Sequence, residues 1–191
     1  MPATKRNIKI QTITGAFKMN GFVRNGIDSS TLINLAAVFD SEYEEFKDRG
    51  FTFPPNLFFY HEISRSEVIG VLIHNFKFTK EEAIAAFEKL VTTFNLEKIG
   101  FNKEIDKQYQ KIVEEANGQV VNKTQNQSLK IGLQDIIIIA GFLRAKVNVV
   151  HSGDQGFLKT CEVLGLNLIP LQEQDIQKEK VLKAWMKKRK N

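Results

Sequence analysis

The stretch from Ile131 to Pro170 constrains the fold of this chain more than any other part of it. It reads IGLQDIIIIAGFLRAKVNVVHSGDQGFLKTCEVLGLNLIP, and its hydrophobic spacing predicts a helix, a strand at Val147–His151, a turn, a helix and a further strand. Asp135 lies in the first turn of the first helix, and Asp154 follows the first strand. Parallel sheets bind ligands outside the carboxyl ends of their strands. The stretch therefore predicts two carboxylates at that edge of a sheet.

The rest of the chain alternates strands and helices in the same way. The pattern predicts strands at Phe22–Ile27 and Leu57–Tyr60, each followed by a helix. Further helices are predicted where Thr79 and Glu82 form a capping box, and over Asn102–Asn117, with a mobile loop over the Asn- and Gln-rich Gly118–Lys130. Ser64 and Ser66 are candidate caps of the helix that spans Ile63–Ile73. This order predicts an α/β fold with a central parallel sheet and helices on both faces.

Length and charge suggest one domain with two appendages. The 191 residues divide into an N-terminal arm (1–20), a domain (21–172) and a basic C-terminal helix or tail (173–191). The net charge of +5 permits a nucleic-acid partner without requiring one. The single cysteine, Cys161, allows no internal disulfide, and no run approaches the roughly 18 apolar residues of a membrane span. We therefore expect a cytoplasmic protein with no membrane association.

Four carboxylates stand beside the predicted strands and helices: Asp28, Glu67, Asp135 and Asp154. Singly, each has a structural explanation as a helix cap, a turn residue or a surface charge. Gathered at one edge of a sheet, they would raise each other's pKa unless a hard divalent cation neutralised them. No pair of the three histidines has a recognised ligand spacing, and only one cysteine exists. An all-carboxylate site of this kind favours phosphodiester hydrolysis over zinc chemistry.

These motifs resemble those of the PIN-domain nucleases, the family that includes the VapC-type toxin ribonucleases. The first motif is Asp28 with Ser30 two positions later, and the second is Glu67 early in a helix. The third is Asp135 at the start of an apolar helix, and the fourth is Ser152 followed by Asp154. The resemblance extends from about Phe22 to Ile169, and its specificity lies in the order and spacing of short motifs.

The resemblance implies a Rossmann-like PIN domain with Asp28, Asp135 and Asp154 around Mg²⁺ or Mn²⁺, and with Glu67 as a ligand or water-orienting base. It implies hydrolysis of single-stranded RNA by a metal-activated water, leaving a 5′-phosphate, in a toxin or an RNA-processing enzyme. It further implies a homodimer, with an antitoxin protein as a candidate partner. Ser30 and Ser152 match the family's small hydroxyl positions, where they orient ligands or bind phosphate.

Several choices stay open in the sequence. Arg65 and Lys130 flank the second and third motifs and are candidate substrate contacts, while Glu62 is an alternative to Glu67 as the acid of the second motif. Many family members carry a further acid after the fourth motif, whereas this chain has Gln155 and Gly156, so the number of metal ions stays open. One rival reading is a catalytically weak PIN-fold scaffold that binds RNA or protein, with its carboxylates paired to Arg or Lys. Another is a small-molecule enzyme with a deep apolar pocket.

Overall fold

The computed structural model describes residues 23–37 and 56–170. The predicted arm, the region between the described ranges and the basic tail lie outside them. The described strands are β1 (Val23–Ile27), β2 (Asn56–His61), β3 (Leu96–Ile99), β4 (Val149–Ser152) and β5 (Asn167–Pro170). The described helices are α1 (Ser29–Ala37), α2 (Glu62–His74), α3 (Lys80–Phe94), α4 (Lys103–Thr124), α5 (Leu133–Arg144) and α6 (Gln155–Val163), with a 3₁₀ turn at Gln127–Leu129.

The five strands form one sheet in the order β3-β2-β1-β4-β5, and every pair is parallel. The chain builds outwards from β1 to β3 on one side, then returns to the other side of β1 for β4 and β5. The order therefore reverses between β1 and β4, where Ile27 is paired with His151. In open α/β sheets this switch point is the place where a crevice forms at the carboxyl ends of the strands.

Helices cover both faces of the sheet, as the sequence predicts. Strand β2 shows the division, because alternate side chains of a strand point to opposite faces. Phe58 and Tyr60 belong to one buried cluster with residues of α1, α2 and α3. Phe59 belongs to a second cluster with residues of α4, α5 and α6. The prediction of an α/β sheet between two helical layers is confirmed. Among the described residues, none of the helices has both the length and the apolar character to cross a membrane.

Local boundaries differ from the sequence prediction for identifiable reasons. Helix α2 begins at Glu62, and the ring of His61 caps it by accepting a hydrogen bond from the Ile63 amide at 3.3 Å. The predicted cap at Ser64 is wrong, since this residue lies buried within the helix. Strand β4 begins at Val149 because the amide of Val147 donates instead to the Phe142 carbonyl at 2.9 Å.

The predicted loop after Asn117 is also wrong, because α4 continues to Thr124. Its buried residues include Val113 and Val120, so one apolar face persists along the helix despite its polar composition. The buried side chain of Asn117 accepts a hydrogen bond from the Ile131 amide at 3.3 Å. Packing of this helix against other segments of the same chain thus outweighs the weak helix propensity of the Asn- and Gln-rich segment.

Gly156 allows α6 to begin in close contact with the chain before α5. A Cβ atom there would lie 2.7 Å from the carbonyl oxygen of Leu129 and 3.2 Å from Cγ2 of Ile131. We predict that Gly156→Ala lowers the free energy of unfolding by about 1–3 kcal/mol, because a backbone atom must move to admit the methyl group. Urea unfolding followed by circular dichroism measures this change.

Gly118 provides the matched control for that substitution. It lies exposed within α4, and a Cβ atom there would meet nothing within 4 Å. Gly118→Ala is expected to raise the free energy of unfolding by up to about 1 kcal/mol, since alanine favours a helix interior. Equal effects of the two substitutions would contradict the packing account of Gly156.

Candidate active site at the carboxyl ends of β1 and β4

Asp28 lies between β1 and α1 at the switch point of the sheet. Its amide donates to the His151 carbonyl of β4 at 3.0 Å, and its side chain is buried. The hydroxyls of Ser30 and Ser152 both donate to its Oδ2 atom, at 2.7 and 2.8 Å. Each hydroxyl has one proton to donate, so these serines orient the carboxylate of Asp28. Their predicted role in binding substrate stays a prediction.

The same hydroxyls join the end of β1 to the start of α6. Ser30 Oγ accepts a hydrogen bond from the Gly153 amide at 2.9 Å, and Ser152 Oγ accepts one from the Asp154 amide at 3.0 Å. Asp154 is the N-cap of α6, where its Oδ1 accepts from the Phe157 amide at 2.7 Å. One oxygen of Asp154 therefore caps a helix, whereas its structural explanation from the sequence was a turn residue. The cap also fixes its carboxylate beside the strand that carries Ser152.

Glu67 approaches the same place from α2. Its Oε2 atom accepts a hydrogen bond from the hydroxyl of Ser29, the residue directly after Asp28. Glu62 lies elsewhere, because its Oε1 accepts from the Phe101 amide at 2.6 Å. Of the two acids that the second motif left open, Glu67 is the one that lies near Asp28. In the sequence, Ser29 is distinguished only as a second hydroxyl residue in the first motif.

Asp135 completes the group from the first turn of α5, where its Oδ2 accepts from the Gly132 amide at 3.3 Å. Burial and, to a smaller extent, the negative charges of Asp28, Asp154 and Glu67 raise its pKa to about 6, although the hydrogen bond from Gly132 opposes this shift. Because Asp135 responds to all three other carboxylates, the four predicted acids share one electrostatic environment. Four separate elements of the chain therefore contribute these acids.

The four acids give the site a concentration of negative charge. Burial raises the pKa of Asp28, although hydrogen bonds from Ser30 and Ser152 lower it in part. Burial also raises the pKa of Glu67, the Ser29 hydroxyl lowers it, and the charge of Asp28 raises it. Within the two described ranges, the ion pairs join other side chains and none involves these four acids. Folding thus holds like charges together, and no cation of the described residues forms an ion pair with them.

The donor set fits a hard divalent cation, because it consists of carboxylate oxygens and lacks a described cationic partner. Asp28, Asp135, Asp154 and Glu67 are the residues that could hold it. In residues 23–37 and 56–170, no group of three His, Cys, Asp or Glu side chains is arranged closely enough to hold a metal ion. A cation shared by these acids would therefore need to draw their side chains closer together.

Solved structures give an independent comparison of the fold. The VapBC2 structure from Rickettsia felis, bound to a DNA fragment from their promoter, superposes with a TM-score of 0.51 at 13% identity, covering 78% of this chain and 99% of that one. VapC-type toxins are PIN domains, the family whose motifs this sequence resembles. The chain has the PIN-domain fold.

Two further structures are similar to this PIN-domain fold. VapBC-1 from nontypeable Haemophilus influenzae is 18% identical with a TM-score of 0.49, and the match covers 77% of this chain and 97% of that one. VapC20 of Mycobacterium tuberculosis, a Sarcin-Ricin loop cleaving toxin, is 14% identical with a TM-score of 0.47 over 70% of this chain and 92% of that one. No protein-family model and no curated protein matches the sequence.

The basic residues that flank the motifs of this PIN fold differ in surroundings. Arg65 forms an ion pair with Glu88 of α3 at 3.0 Å, and both side chains are exposed. Lys130 is exposed and follows the 3₁₀ turn, just before the segment that leads to Asp135. Among the residues that the structure describes, no carboxylate forms an ion pair with Lys130 as Glu88 does with Arg65. Both roles stay predictions.

Two histidines near the PIN-fold site, His61 and His151, have buried side chains. His151 is buried in β4, and its Nε2 lies 3.0 Å from Oδ1 of Asn25. Burial lowers its pKa to about 4. His61 is buried as the cap of α2, and burial likewise lowers its pKa. Both rings are therefore neutral near pH 7.

The raised pKa of Asp135 predicts a pH-dependent stability in the absence of divalent cations. The folded protein binds the Asp135 proton more tightly than the unfolded chain does, so this group reduces stability as the pH rises from about 4 to about 6. After allowance for its partial exposure, we expect metal-free Asp135→Asn to exceed the wild type by about 1–2 kcal/mol at pH 7.5. The difference should vanish near pH 4.

Urea unfolding in EDTA between pH 4 and pH 8 measures this prediction. The asparagine side chain still offers an oxygen to the Gly132 amide, so the substitution removes mainly the charge. Asp106→Asn is not a suitable control, because Asp106 has its own cation in Arg144. A stability difference between Asp135→Asn and the wild type that does not change with pH would contradict the raised pKa of Asp135, which burial and the neighbouring negative charges cause.

Proposed function

We propose that this protein is a metal-dependent endoribonuclease that hydrolyses phosphodiester bonds of single-stranded RNA. The observation that carries the proposal is that the hydroxyls of Ser29 and Ser152 link Asp28 to Glu67 and to the start of the helix capped by Asp154. Asp135 lies close enough for the charges of these three acids to raise its pKa. A binding scaffold that had lost its metal would be expected to pair these acids with Arg or Lys. The described ion pairs do not involve them, which favours a cation-dependent enzyme.

In this proposal Asp28, Asp135 and Asp154 hold Mg²⁺ or Mn²⁺, and Glu67 is a further ligand or the water-orienting base. When bound, the cation lowers the pKa of a coordinated water and stabilises the charge that develops on the phosphodiester. The hydroxyls of Ser30 and Ser152 keep the Asp28 carboxylate in a fixed orientation. Such preorientation avoids reorganisation of the ligand during the reaction.

Glu67 is suited to accept a proton from the attacking water. Burial and the neighbouring charge of Asp28 raise its pKa from that of an ordinary glutamate. A general base is most effective when its pKa approaches the working pH. Its half-buried position beside Asp28 and the hydrogen bond from Ser29 supply the fixed geometry that such a base needs.

The substrate and partners follow from the same proposal. Lys130 provides a positive charge before the segment that carries Asp135, where an RNA backbone could be bound. The VapBC2 structure from Rickettsia felis shares the fold and is a complex bound to DNA. By that analogy an antitoxin protein is the proposed partner. The proposed homodimer rests instead on the resemblance of the sequence motifs to those of the PIN-domain family. The proposed ribonuclease activity is compatible with two biological roles, that of a toxin and that of an RNA-processing enzyme.

A panel of single-stranded RNAs with Mg²⁺ or Mn²⁺ tests the proposed activity. The wild type should produce fragments with 5′-phosphate ends, whereas Asp28→Asn and Asp154→Asn should not. EDTA should abolish cleavage by the wild type. Equal cleavage by the three proteins would reject the proposed mechanism and attribute the signal to a contaminant.

A further inference from the structure

The segment Asp28–Ser30 distributes its two hydroxyls between different carboxylates. Ser30 Oγ donates to Oδ2 of Asp28 within the same turn, at 2.7 Å. Ser29 Oγ instead donates to Oε2 of Glu67, which belongs to α2. Because Asp28 and Ser29 are adjacent in the chain, this second bond ties the position of the Glu67 carboxylate to that of Asp28.

Without such a bond, two physical effects would favour movement of the Glu67 carboxylate away from this position. Its side chain has several rotatable bonds, and it lies half-buried beside the like charge of Asp28. Both the conformational entropy of the side chain and the repulsion between the carboxylates favour its rotation towards solvent. The Ser29 hydroxyl opposes this movement because hydrogen bonds to a charged acceptor are stronger than those between neutral groups.

We propose that Ser29 is a positioning residue, whose hydroxyl holds the Glu67 carboxylate beside Asp28 so that both can serve the same cation. The inference rests on the proposed function for its catalytic consequence, but not for the hydrogen bond itself. Ser29 is buried, so it acts through Glu67 rather than on the substrate. One hydroxyl proton occupies only part of a carboxylate's capacity to accept, so Glu67 keeps an oxygen for a cation or water.

Ser64 offers a matched control. It is a buried serine of α2, the helix that carries Glu67, and its hydroxyl has no hydrogen-bond partner among the described residues. Ser29→Ala and Ser64→Ala thus delete the same atom from buried positions, yet only the first removes a bond to Glu67. Ser29→Thr retains the hydroxyl and is the rescue variant.

Side-chain carbon-13 relaxation of Glu67, measured by NMR in the cation-free protein, tests the positioning directly. The order parameter of the Glu67 Cγ–H bonds is expected to fall in Ser29→Ala and to keep its wild-type value in Ser64→Ala and Ser29→Thr. An unchanged order parameter in Ser29→Ala would overturn the proposal. A fall of equal size in Ser64→Ala would overturn it as well, since the effect would then be one of general packing.

Kinetics with RNA and Mn²⁺ separate this proposal from the proposed nuclease activity. Ser29→Ala should lower kcat about tenfold with little change in KM, because the loss falls on the reacting groups rather than on RNA binding. A wild type that does not cleave RNA would reject the nuclease, while the order parameters would still decide whether Ser29 positions Glu67. A cleaving wild type with unchanged kcat in Ser29→Ala would overturn the proposed catalytic consequence.

Discussion

Asp28→Asn is expected to reduce RNA cleavage by more than about 100-fold while leaving the protein at least as stable as the wild type. Loss of even an outer partner of a metal ligand typically lowers affinity or activity by about 10–100-fold, and Asp28 is proposed as a ligand itself. Burial raises the pKa of Asp28, so its charged form is disfavoured in the folded protein. Asparagine removes that charge, and its oxygen can still accept from Ser30 and Ser152.

Asp28→Ala is the informative contrast to Asp28→Asn. It should be equally inactive, but it leaves the Ser30 and Ser152 hydroxyls without the acceptor that they share. The Ser152 hydroxyl is buried, and loss of the acceptor of a buried hydroxyl destabilises a protein by about 1–3 kcal/mol. Both variants should therefore be inactive on RNA. Urea unfolding in EDTA should show that Asp28→Ala is less stable than Asp28→Asn. Cleavage by Asp28→Asn at the wild-type rate would contradict the proposed role of Asp28.

Arg144→Met should cause the largest loss of stability that we predict, about 3 kcal/mol. Arg144 ends α5, and its guanidinium donates to Asp106 Oδ1 at 2.5 Å and to the Gly100 carbonyl at 2.6 Å. The side chain of Asp106 is fully buried at 0% exposure. Without Arg144, the hydrogen bond that remains to Asp106 among the described residues is from the Asn102 amide at 2.8 Å. The buried charge then lacks the cation with which it forms its described ion pair.

Two further variants control this measurement by urea unfolding. Lys159→Met removes an ion pair with Glu162 in which the side chains are 49% and 58% exposed, and it should cost less than about 1 kcal/mol. Adding Asp106→Asn to Arg144→Met should restore part of the lost stability, because the unpaired charge is then absent. A loss in Arg144→Met no larger than that in Lys159→Met would contradict the account.

The alternation of strands and helices was enough to predict the fold class, because an apolar run followed by an amphipathic helix leads to a parallel sheet. The continuation of α4 to Thr124 could not be predicted in this way. It depends on the buried face that includes Val113 and Val120, and on the hydrogen bond from the Ile131 amide to Asn117. These contacts are made with residues outside the helix. The local composition of the Asn- and Gln-rich segment therefore gives no indication of them.

The candidate site shows the same limit at the level of single residues. The acids after β1 and β4 could be placed together because the carboxyl ends of parallel strands share one edge. The choice between Glu62 and Glu67 required the hydrogen bonds to Phe101 and Ser29, which join segments distant in sequence. The separate tasks of Ser29 and Ser30 likewise depend on side-chain direction at the start of α1, which adjacent identical residues do not reveal.

Calorimetric titration of Mn²⁺ into the wild type and Asp28→Asn at pH 7.5 tests the central claim most directly. The claim is that acids from separate elements of the PIN fold share one divalent cation. We predict saturable binding to the wild type and an affinity at least about tenfold lower for Asp28→Asn. Equal affinities in the two proteins, or no binding to the wild type, would contradict it.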